Sequence, residues 1–294
     1  MSNIILFSMP GNEALTRQLA SILQAETGEA TIRHFPDGES YVRILSDVSG
    51  KKVVIVCTLH HPNSKVLPLL FLAQTARELG AAQVCLLAPY LAYMRQDIRF
   101  KPGEAISSRI FAGLLSGTFD CLLTIDPHLH RFHSMRELYT IPATALHAAQ
   151  TLADWVKANV SKPLLIGPDE ESRQWVAAIA ARANAPYLVL QKIRRGDKTV
   201  QVSLPEIGAY SQHTPVLADD IISTGHTMLE TIHHLKQLTP ARPVCLGIHA
   251  VFAPHAYQAL QQAGAARIVT CNTIPHPSNA INIAPLLAQA LQQL

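Results

Sequence analysis

Charged residues are scarce in this sequence. Of its 294 residues, 24 are Lys or Arg and 21 are Asp or Glu, together 15%, whereas 48% are hydrophobic. Such a composition is typical of a packed globular protein and argues against intrinsic disorder. The formal net charge is only +3, and no run of five like charges occurs. We therefore do not expect nucleic acid among the partners of this protein.

Long apolar runs are lacking as well. The longest uninterrupted runs fall well short of the roughly 18 residues that a membrane-spanning helix needs, so we expect no membrane partner. The first seven residues contain no basic region ahead of their short apolar stretch, and we expect no secretory signal there.

Closely spaced cysteine pairs and histidine-rich tracts are also absent. No Cys-x-x-Cys pair occurs among the five cysteines, which are Cys57, Cys85, Cys121, Cys245 and Cys271. Three of them lie in apolar runs, which predicts buried thiols in a reducing compartment and a cytoplasmic location. The 14 histidines form no His-Glu-x-x-His zinc pattern.

Short apolar runs alternate with helical patterns along the chain. Residues 53–57 and 84–88 are predicted as buried strands around a helix over 67–79, which Gly80 should end. A helix over about 106–115 and a strand over 122–125 follow. This alternation predicts βαβ units and a parallel sheet covered by helices on both faces.

The same rhythm returns in the second half of the chain. The predicted strands cover 164–167, 216–218 and 244–248, and the predicted helices cover 175–183 and 227–238. We infer two similar α/β domains, each a mainly parallel sheet flanked by helices, over residues 1–145 and 146–280. A closing helix within about 281–294 is expected to pack back on the first domain. Ligands bind beyond the carboxyl ends of such strands, so the loops that follow the strands are the candidate sites.

The loop after the strand at 216–218 gives the strongest functional signal. The strand leads into Asp219 and Asp220, and the helix is opened by Ser223, Thr224, Gly225, His226 and Thr227. Backbone N–H groups and hydroxyls at a helix start bind phosphate, and paired carboxylates suit vicinal hydroxyls, so the segment predicts a sugar-phosphate site. The alternative is an ordinary capped helix, with Thr224 or Thr227 as its cap.

This loop resembles the ribose-5-phosphate or PRPP (phosphoribosyl pyrophosphate) binding motif of the phosphoribosyltransferase fold. Further segments, in order along nearly the whole chain, are similar to PRPP synthetases (ribose-phosphate pyrophosphokinases). They are residues 35–39, 89–90, 93, 95–97, 126–128, 192–194, 272–274 and 284–288. The resemblance implies two phosphoribosyltransferase-type domains, the first on the ATP side and the second with the ribose-5-phosphate loop. It also implies Mg²⁺ and transfer of the pyrophosphoryl group of ATP to the C1 hydroxyl of ribose 5-phosphate, giving PRPP and AMP.

The resemblance assigns nucleotide-binding residues to the first domain. Phe35 offers a ring on which adenine could stack, while Asp37 and Glu39 accept hydrogen bonds or shape the pocket. Residues 36–38 also read as a hairpin turn, and both interpretations can hold together. The remaining ATP-binding residues implied by the family are Arg95, Gln96, Asp97 and His128, and His128 is also assigned to the metal.

Catalytic and metal-binding residues are implied in the second domain. Lys192 and Arg194 match a Lys and an Arg of a mobile loop that closes on the triphosphate, although a charged hairpin is the simpler interpretation. Asp169 matches a metal-associated aspartate. Glycines common after this aspartate are replaced here by Glu170, Glu171 and Ser172.

These replacements leave two interpretations open. The two carboxylates either repel inorganic phosphate, which activates many members of the family, or turn outward as the acidic first turn of the next helix. His226, where many members carry Gly, and Ser223, where many carry Asp, are further departures from the family pattern.

Two other functions remain open from the sequence. A phosphoribosyltransferase would use the 219–227 loop but would not need Phe35, Arg95 and His128. A non-catalytic regulatory subunit is disfavoured because Lys192, Arg194, His128 and Asp169 are all present. The family also implies a homo-oligomer, a dimer or a hexamer.

Overall fold

The computed structural model describes residues 3–129, 131–195, 199–203 and 207–293. The chain forms two compact units, one of Met1–Leu146 with Ala284–Leu294 and one of His147–Ile283. Each unit contains a six-stranded parallel sheet. The predicted α/β class, with two mainly parallel sheets flanked by helices, is confirmed.

The first unit begins with a strand, a helix, a short edge strand and a hairpin. These are β1 (Ile4–Ser8), α1 (Glu13–Leu23), β2 (Glu26–Thr27), β3 (Ala30–His34) and β4 (Ser40–Ile44). Its remaining elements up to residue 146 are β5 (Lys52–Val56), α2 (Val66–Glu78), β6 (Gln83–Ala88), α3 (Ser107–Ser116), β7 (Cys121–Ile125) and β8 (Ala143–Leu146). The sheet order is β2-β1-β5-β6-β7-β8, and β3 pairs with β4 as a separate antiparallel hairpin.

The second unit repeats the alternation. It contains α4 (Ala149–Asn159), β9 (Pro163–Gly167), α5 (Arg173–Ala183), β10 (Tyr187–Val189), β11 (Gln191–Arg195), β12 (Thr199–Ser203), β13 (Thr214–Ile222), α6 (His226–Leu238), β14 (Val244–Ala250), α7 (Ala256–Gln262), β15 (Arg267–Cys271) and β16 (Asn279–Ile281). Its sheet order is β10-β9-β13-β14-β15-β16, and β11 and β12 form an antiparallel hairpin. The last helix, α8 (Ala284–Leu291), belongs to the first unit and packs on α1.

The central strands are buried because they are almost continuously apolar. Residues 53–56 of β5 and 84–88 of β6 are fully buried, as expected for strands covered by helices on both faces. Helix α2 ends where the sequence predicts, since Gly80 follows it with a φ of +89°, a conformation that glycine adopts without strain.

The predicted strand at 216–218 is longer in the structure. Strand β13 runs from Thr214 to Ile222 and so includes both Asp219 and Asp220. Its pairing with β14 continues to Ile222 opposite Ala250. The parallel ladder therefore extends through the acidic pair, where the sequence pattern predicted a loop.

The cysteine prediction is wrong for two of the five residues. Cys85 on β6 and Cys121 on β7 lie opposite each other in register, with Cα atoms 4.8 Å apart, and form a disulfide. Their distance along the sequence concealed a pairing that depends on which strands become neighbours. Cys57, Cys245 and Cys271 are buried free thiols, and burial raises the pKa of Cys57 and of Cys245 to about 12.

No helix in the described part of the chain is both long and apolar enough to cross a membrane.

Candidate active site

The strongest sequence signal lies at the carboxyl end of the second sheet. Strand β13 lies between β9 and β14, with Asp219 opposite Gly247. Asp219 and Asp220 are both partly buried, and the backbone N–H of Asp220 donates to Asp219 Oδ1 at 3.0 Å. The structure thus places the two carboxylates where the sheet opens into the next loop.

Burial and crowding change the acidity of Asp219. Desolvation raises the pKa of Asp219 well above its ordinary value, and the neighbouring charges of Asp220 and Asp169 raise it further, while the Asp220 backbone hydrogen bond opposes the shift. Asp169 follows β9, which is the strand beside β13. Three uncompensated charges on Asp169, Asp219 and Asp220 would repel one another. This cluster therefore favours the binding of a proton, a cation or a hydroxyl-bearing ligand.

This crowding has a measurable consequence for stability. A carboxyl with a raised pKa in the folded state destabilises that state at neutral pH, and the destabilisation disappears as pH falls through the raised pKa. We expect Asp219→Asn to raise Tm at pH 7.5 by roughly 2–4 °C, about 1 kcal/mol. The gain should shrink on acidification. Thermal melts across pH would check this, with the exposed Asp154→Asn in the same unit as control. A gain of equal size at every pH would contradict the account.

The loop after β13 is preorganised for an anion. Gly225 is the N-cap of α6 and has a φ of +69°, which favours glycine. The loop is also tied to its neighbour, because the N–H groups of Phe252 and Ala253 donate to the carbonyls of Ile222 and Ser223 at 2.8 and 3.0 Å.

The N-cap of α6 is Gly225, which makes no side-chain cap hydrogen bond. The alternative in which Thr224 or Thr227 acts as the cap is therefore wrong. This helix start can bind phosphate. The residues around it are Ser223, Thr224, Gly225, His226 and Thr227. Thr224 and His226 are exposed there, while the other three are partly buried.

The loop after β9 contains Glu170 and Glu171, the acidic residues that either repel phosphate or turn outward at the helix start. Asp169 Oδ1 accepts from Ser172 N at 3.2 Å, which starts a short 3-10 turn ahead of α5. Glu170 is exposed and pairs with Arg173, with Arg173 Nη2 2.7 Å from Glu170 Oε2. This pairing lowers the pKa of Glu170. For Glu170 the structure therefore favours the outward, helix-start interpretation, whereas the side chain of Glu171 lies outside the described part.

Lys192 and Arg194 lie on a hairpin. Their backbones belong to β11, opposite Val202 and Val200 of β12. Their side chains lie outside the described part of the structure, so their catalytic role stays a prediction.

The residues predicted to bind adenine form a turn in the first unit. Phe35 N donates to Glu39 O at 2.8 Å, Gly38 has a φ of +92°, and Glu39 N donates to Asp37 Oδ1 at 3.1 Å. The predicted hairpin turn is confirmed. The Phe35 ring is 40% exposed, and the Arg33 guanidinium carbon lies 4.7 Å from its centroid. A partly exposed ring remains compatible with base stacking, which stays a prediction.

The other predicted nucleotide residues follow β6 and β7. Arg95 is exposed, Gln96 and His128 are partly buried, and Asp97 is only 4% exposed. The Asp97 carboxylate pairs with Arg131, with Nη1 2.8 Å from Oδ1. Sequence reasoning missed Arg131, because its pairing with Asp97 depends on a burial that only the structure shows; a carboxylate this deeply buried requires a cationic partner.

Metal ligands are sparse among these side chains. Within residues 3–129, 131–195, 199–203 and 207–293, no group of three or more His, Cys, Asp or Glu side chains is arranged to hold a metal ion.

Comparisons with known proteins agree with this geometry. Residues 4–118 match the sequence model for the N-terminal domain of ribose phosphate pyrophosphokinase, and residues 134–286 match that for the phosphoribosyl transferase domain. A ribose-phosphate pyrophosphokinase of Methanopyrus kandleri is 32% identical over 95% of this chain and 96% of its own. One from Sulfurisphaera tokodaii is 30% identical over 98% and 100%.

The fold is also that of a solved structure. The crystal structure of phosphoribosylpyrophosphate synthetase from Mycobacterium smegmatis matches with a TM-score of 0.85 over 99% of this chain and 98% of its own, at 24% identity. On the sequence matches and the curated relatives together, the chain belongs to the ribose-phosphate pyrophosphokinase family.

Proposed function

We propose that this protein transfers the pyrophosphoryl group of ATP to the C1 hydroxyl of ribose 5-phosphate, giving PRPP and AMP. The observation that carries the proposal is the arrangement of β13 and α6. Two crowded carboxylates lie near the end of β13, ahead of a helix start whose N-cap, Gly225, makes no side-chain cap hydrogen bond. A sugar that carries both a diol and a phosphate complements these two features. The family membership supports the same reaction.

Each part of the loop has a task toward the sugar phosphate. Asp219 and Asp220 accept hydrogen bonds from the ribose hydroxyls. Residues 223–227 bind the 5-phosphate through backbone N–H groups and hydroxyls at the positive end of the α6 dipole. Gly225 allows the positive φ of the loop without strain, and hydrogen bonds from the N–H groups of Phe252 and Ala253 hold the loop, so little further ordering is needed on binding.

The chemical problem is mainly electrostatic. The C1 oxygen attacks the β-phosphorus of ATP, AMP leaves, and negative charge develops on the oxygen between the α- and β-phosphorus atoms. Lys192 and Arg194 are the proposed cations that stabilise this charge. The residues proposed to bind and orient the nucleotide are Phe35, Asp37, Glu39, Arg95, Gln96 and His128. Asp97 is proposed to support them from within the fold.

A divalent cation fits the donors that are present. Asp169, beside the crowded Asp219, is the residue of the second unit proposed to hold Mg²⁺ with substrate phosphates. His128 is the proposed metal residue of the first unit. A cation next to Asp169 would relieve the repulsion that raises the pKa of Asp219. Bound Mg²⁺ would supply positive charge that offsets the charge of the polyphosphate.

Metal removal should therefore abolish activity reversibly. We expect EDTA to stop PRPP formation because two polyanions then lack their countercharge, and added Mg²⁺ should restore it. Coupled measurement of AMP and PRPP checks this, with circular dichroism as a control that the fold survives chelation. Undiminished activity in EDTA would contradict the proposed role of the cation.

One incubation distinguishes the proposed reaction from the two alternatives, a phosphoribosyltransferase and a non-catalytic regulatory subunit. With Mg-ATP and ribose 5-phosphate, a PRPP synthetase forms AMP and PRPP in equal amounts. A phosphoribosyltransferase would not form AMP from ATP and would instead consume PRPP with a base. A non-catalytic regulatory subunit would do neither.

The assembly and location of the protein are proposals as well. A homo-oligomer, dimer or hexamer, is proposed from the family and would be checked by sedimentation. A cytoplasmic location is proposed from the substrates alone, because the pairing of Cys85 with Cys121 removes the argument from buried free thiols in a reducing compartment.

A further inference from the structure

We propose that Asp97 and Arg131 are positioning residues whose ion pair holds together the two loops of the first unit that carry Arg95 and His128. The proposal deepens the proposed function and rests on it for the identity of the nucleotide. It assigns a role to Arg131, and it changes the role of Asp97 from a direct ATP contact to a support for that contact.

Asp97 and Arg131 form a short ion pair in which the carboxylate is buried. Arg131 Nη1 lies 2.8 Å from Asp97 Oδ1, and the Asp97 side chain is 3% exposed against 48% for Arg131. A carboxylate this deeply buried is stable only with a hydrogen-bonded cation beside it, and removal of the cation leaves an uncompensated charge. Asp97 is therefore satisfied from inside the protein and does not face the solvent through which a nucleotide would approach.

Arg131 also contacts the same loop further along the chain. Its guanidinium carbon lies 5.6 Å from the ring centroid of Phe100, a cation–π distance. The loop is closed by Glu104, whose carboxylate accepts from the N–H groups of Phe100 and Lys101 at 2.9 and 3.0 Å. Arg131 thus anchors a preformed loop at Asp97 and again at Phe100.

The anchored positions adjoin the predicted nucleotide residues. Arg95 lies two residues before Asp97, and His128 lies three residues before Arg131. The strands that precede them, β6 and β7, are parallel neighbours with Ala88 opposite Thr124. The sheet fixes where each loop begins, but only a contact between the loops fixes their spacing further out. The Asp97–Arg131 pair supplies that contact, so its loss should displace Arg95 relative to His128.

The test is a double-mutant cycle in the full-length protein with Arg131→Met, Asp97→Asn and the combined variant. Steady-state kinetics and calorimetric titration with Mg-ATP are the readouts. We expect each single variant to weaken ATP affinity and raise the KM for ATP at least about tenfold. The KM for ribose 5-phosphate should stay within about twofold, and the combined variant should be no worse than the poorer single one, because the two residues act as a unit. Arg131→Lys, which keeps the charge, should recover part of the loss.

The matched control is Arg136→Met, which removes an exposed arginine of the same unit. It should leave both KM values unchanged. If Arg131→Met does not fold, the nearly isosteric Asp97→Asn carries the test.

Three results would overturn the proposal. They are an unchanged ATP affinity in the single variants, additive losses that indicate a separate ATP contact by Asp97, or equal losses for both substrates. Because calorimetry reports ATP binding without turnover, a wild type that binds ATP but forms no PRPP would reject the proposed function alone.

Discussion

Replacing Lys192 by Ala should reduce turnover far more than it reduces ATP affinity. A cation proposed to act on charge that develops between the α- and β-phosphorus atoms contributes mainly in the transition state. Loss of one such contact costs on the order of 10²–10³ in kcat. Steady-state kinetics with Mg-ATP and ribose 5-phosphate would give kcat and both KM values.

The matched control lies on the same strand of the hairpin. Arg195 of β11 has no proposed role, and Arg195→Ala should keep nearly wild-type kinetics. A Lys192→Ala variant within about twofold of wild type in kcat would remove Lys192 from the catalytic role. A large rise in the KM for ATP at unchanged kcat would instead make it a ground-state binding residue.

Asp220→Ala should weaken ribose 5-phosphate binding while ATP binding stays almost intact. The Asp220 carboxylate is proposed to accept hydrogen bonds from the ribose diol, and a hydrogen bond to a charged group contributes about 1.5–3 kcal/mol. That corresponds to a loss of roughly ten- to hundredfold in sugar affinity. Calorimetry with each ligand separately would measure both affinities.

The control for Asp220 removes another carboxylate from the same unit. Glu230 is exposed on α6, and Glu230→Ala should leave sugar affinity unchanged. If Asp220→Ala abolished ATP binding and the sugar still bound, the proposed division of tasks within the site would be wrong.

Hydrophobic pattern predicted most of the fold because the buried strands are unambiguous. Runs such as 53–56 and 84–88 can satisfy their burial only in a sheet covered on both faces, and they lie in β5 and β6. Helix α6 begins at His226, one residue from the predicted start at about Thr227, although its N-cap is Gly225 and not a threonine.

The errors share a different physical origin. Asp219 and Asp220 belong to β13 because the β14 ladder continues past them, and a polar pair alone does not reveal how far a neighbouring strand extends. The Cys85–Cys121 disulfide depends on β6 and β7 becoming neighbours in one register. Both are set by tertiary pairing, which composition and periodicity do not encode.

The same limit applies to the candidate site. The sequence predicted Asp97 as an ATP-binding residue, and that role stays a prediction, whereas its burial against Arg131 depends on two loops at once. The outward orientation of Glu170 likewise depends on its ion pair with Arg173, which the sequence alone does not show. Candidate functional residues can be predicted from the sequence, whereas the contacts that hold a side chain within the fold require the structure.

The fate of the β-phosphorus of ATP distinguishes pyrophosphoryl transfer from other reactions of ATP. The protein is incubated with Mg²⁺, ribose 5-phosphate and ATP labelled with ³²P at the β-phosphorus, and the products are separated. Attack of the C1 oxygen on the β-phosphorus predicts that the label moves entirely into PRPP and that unlabelled AMP forms in equal amount. Label in ADP, or AMP formation that does not depend on ribose 5-phosphate, would contradict the assignment of this protein as a pyrophosphoryl transferase.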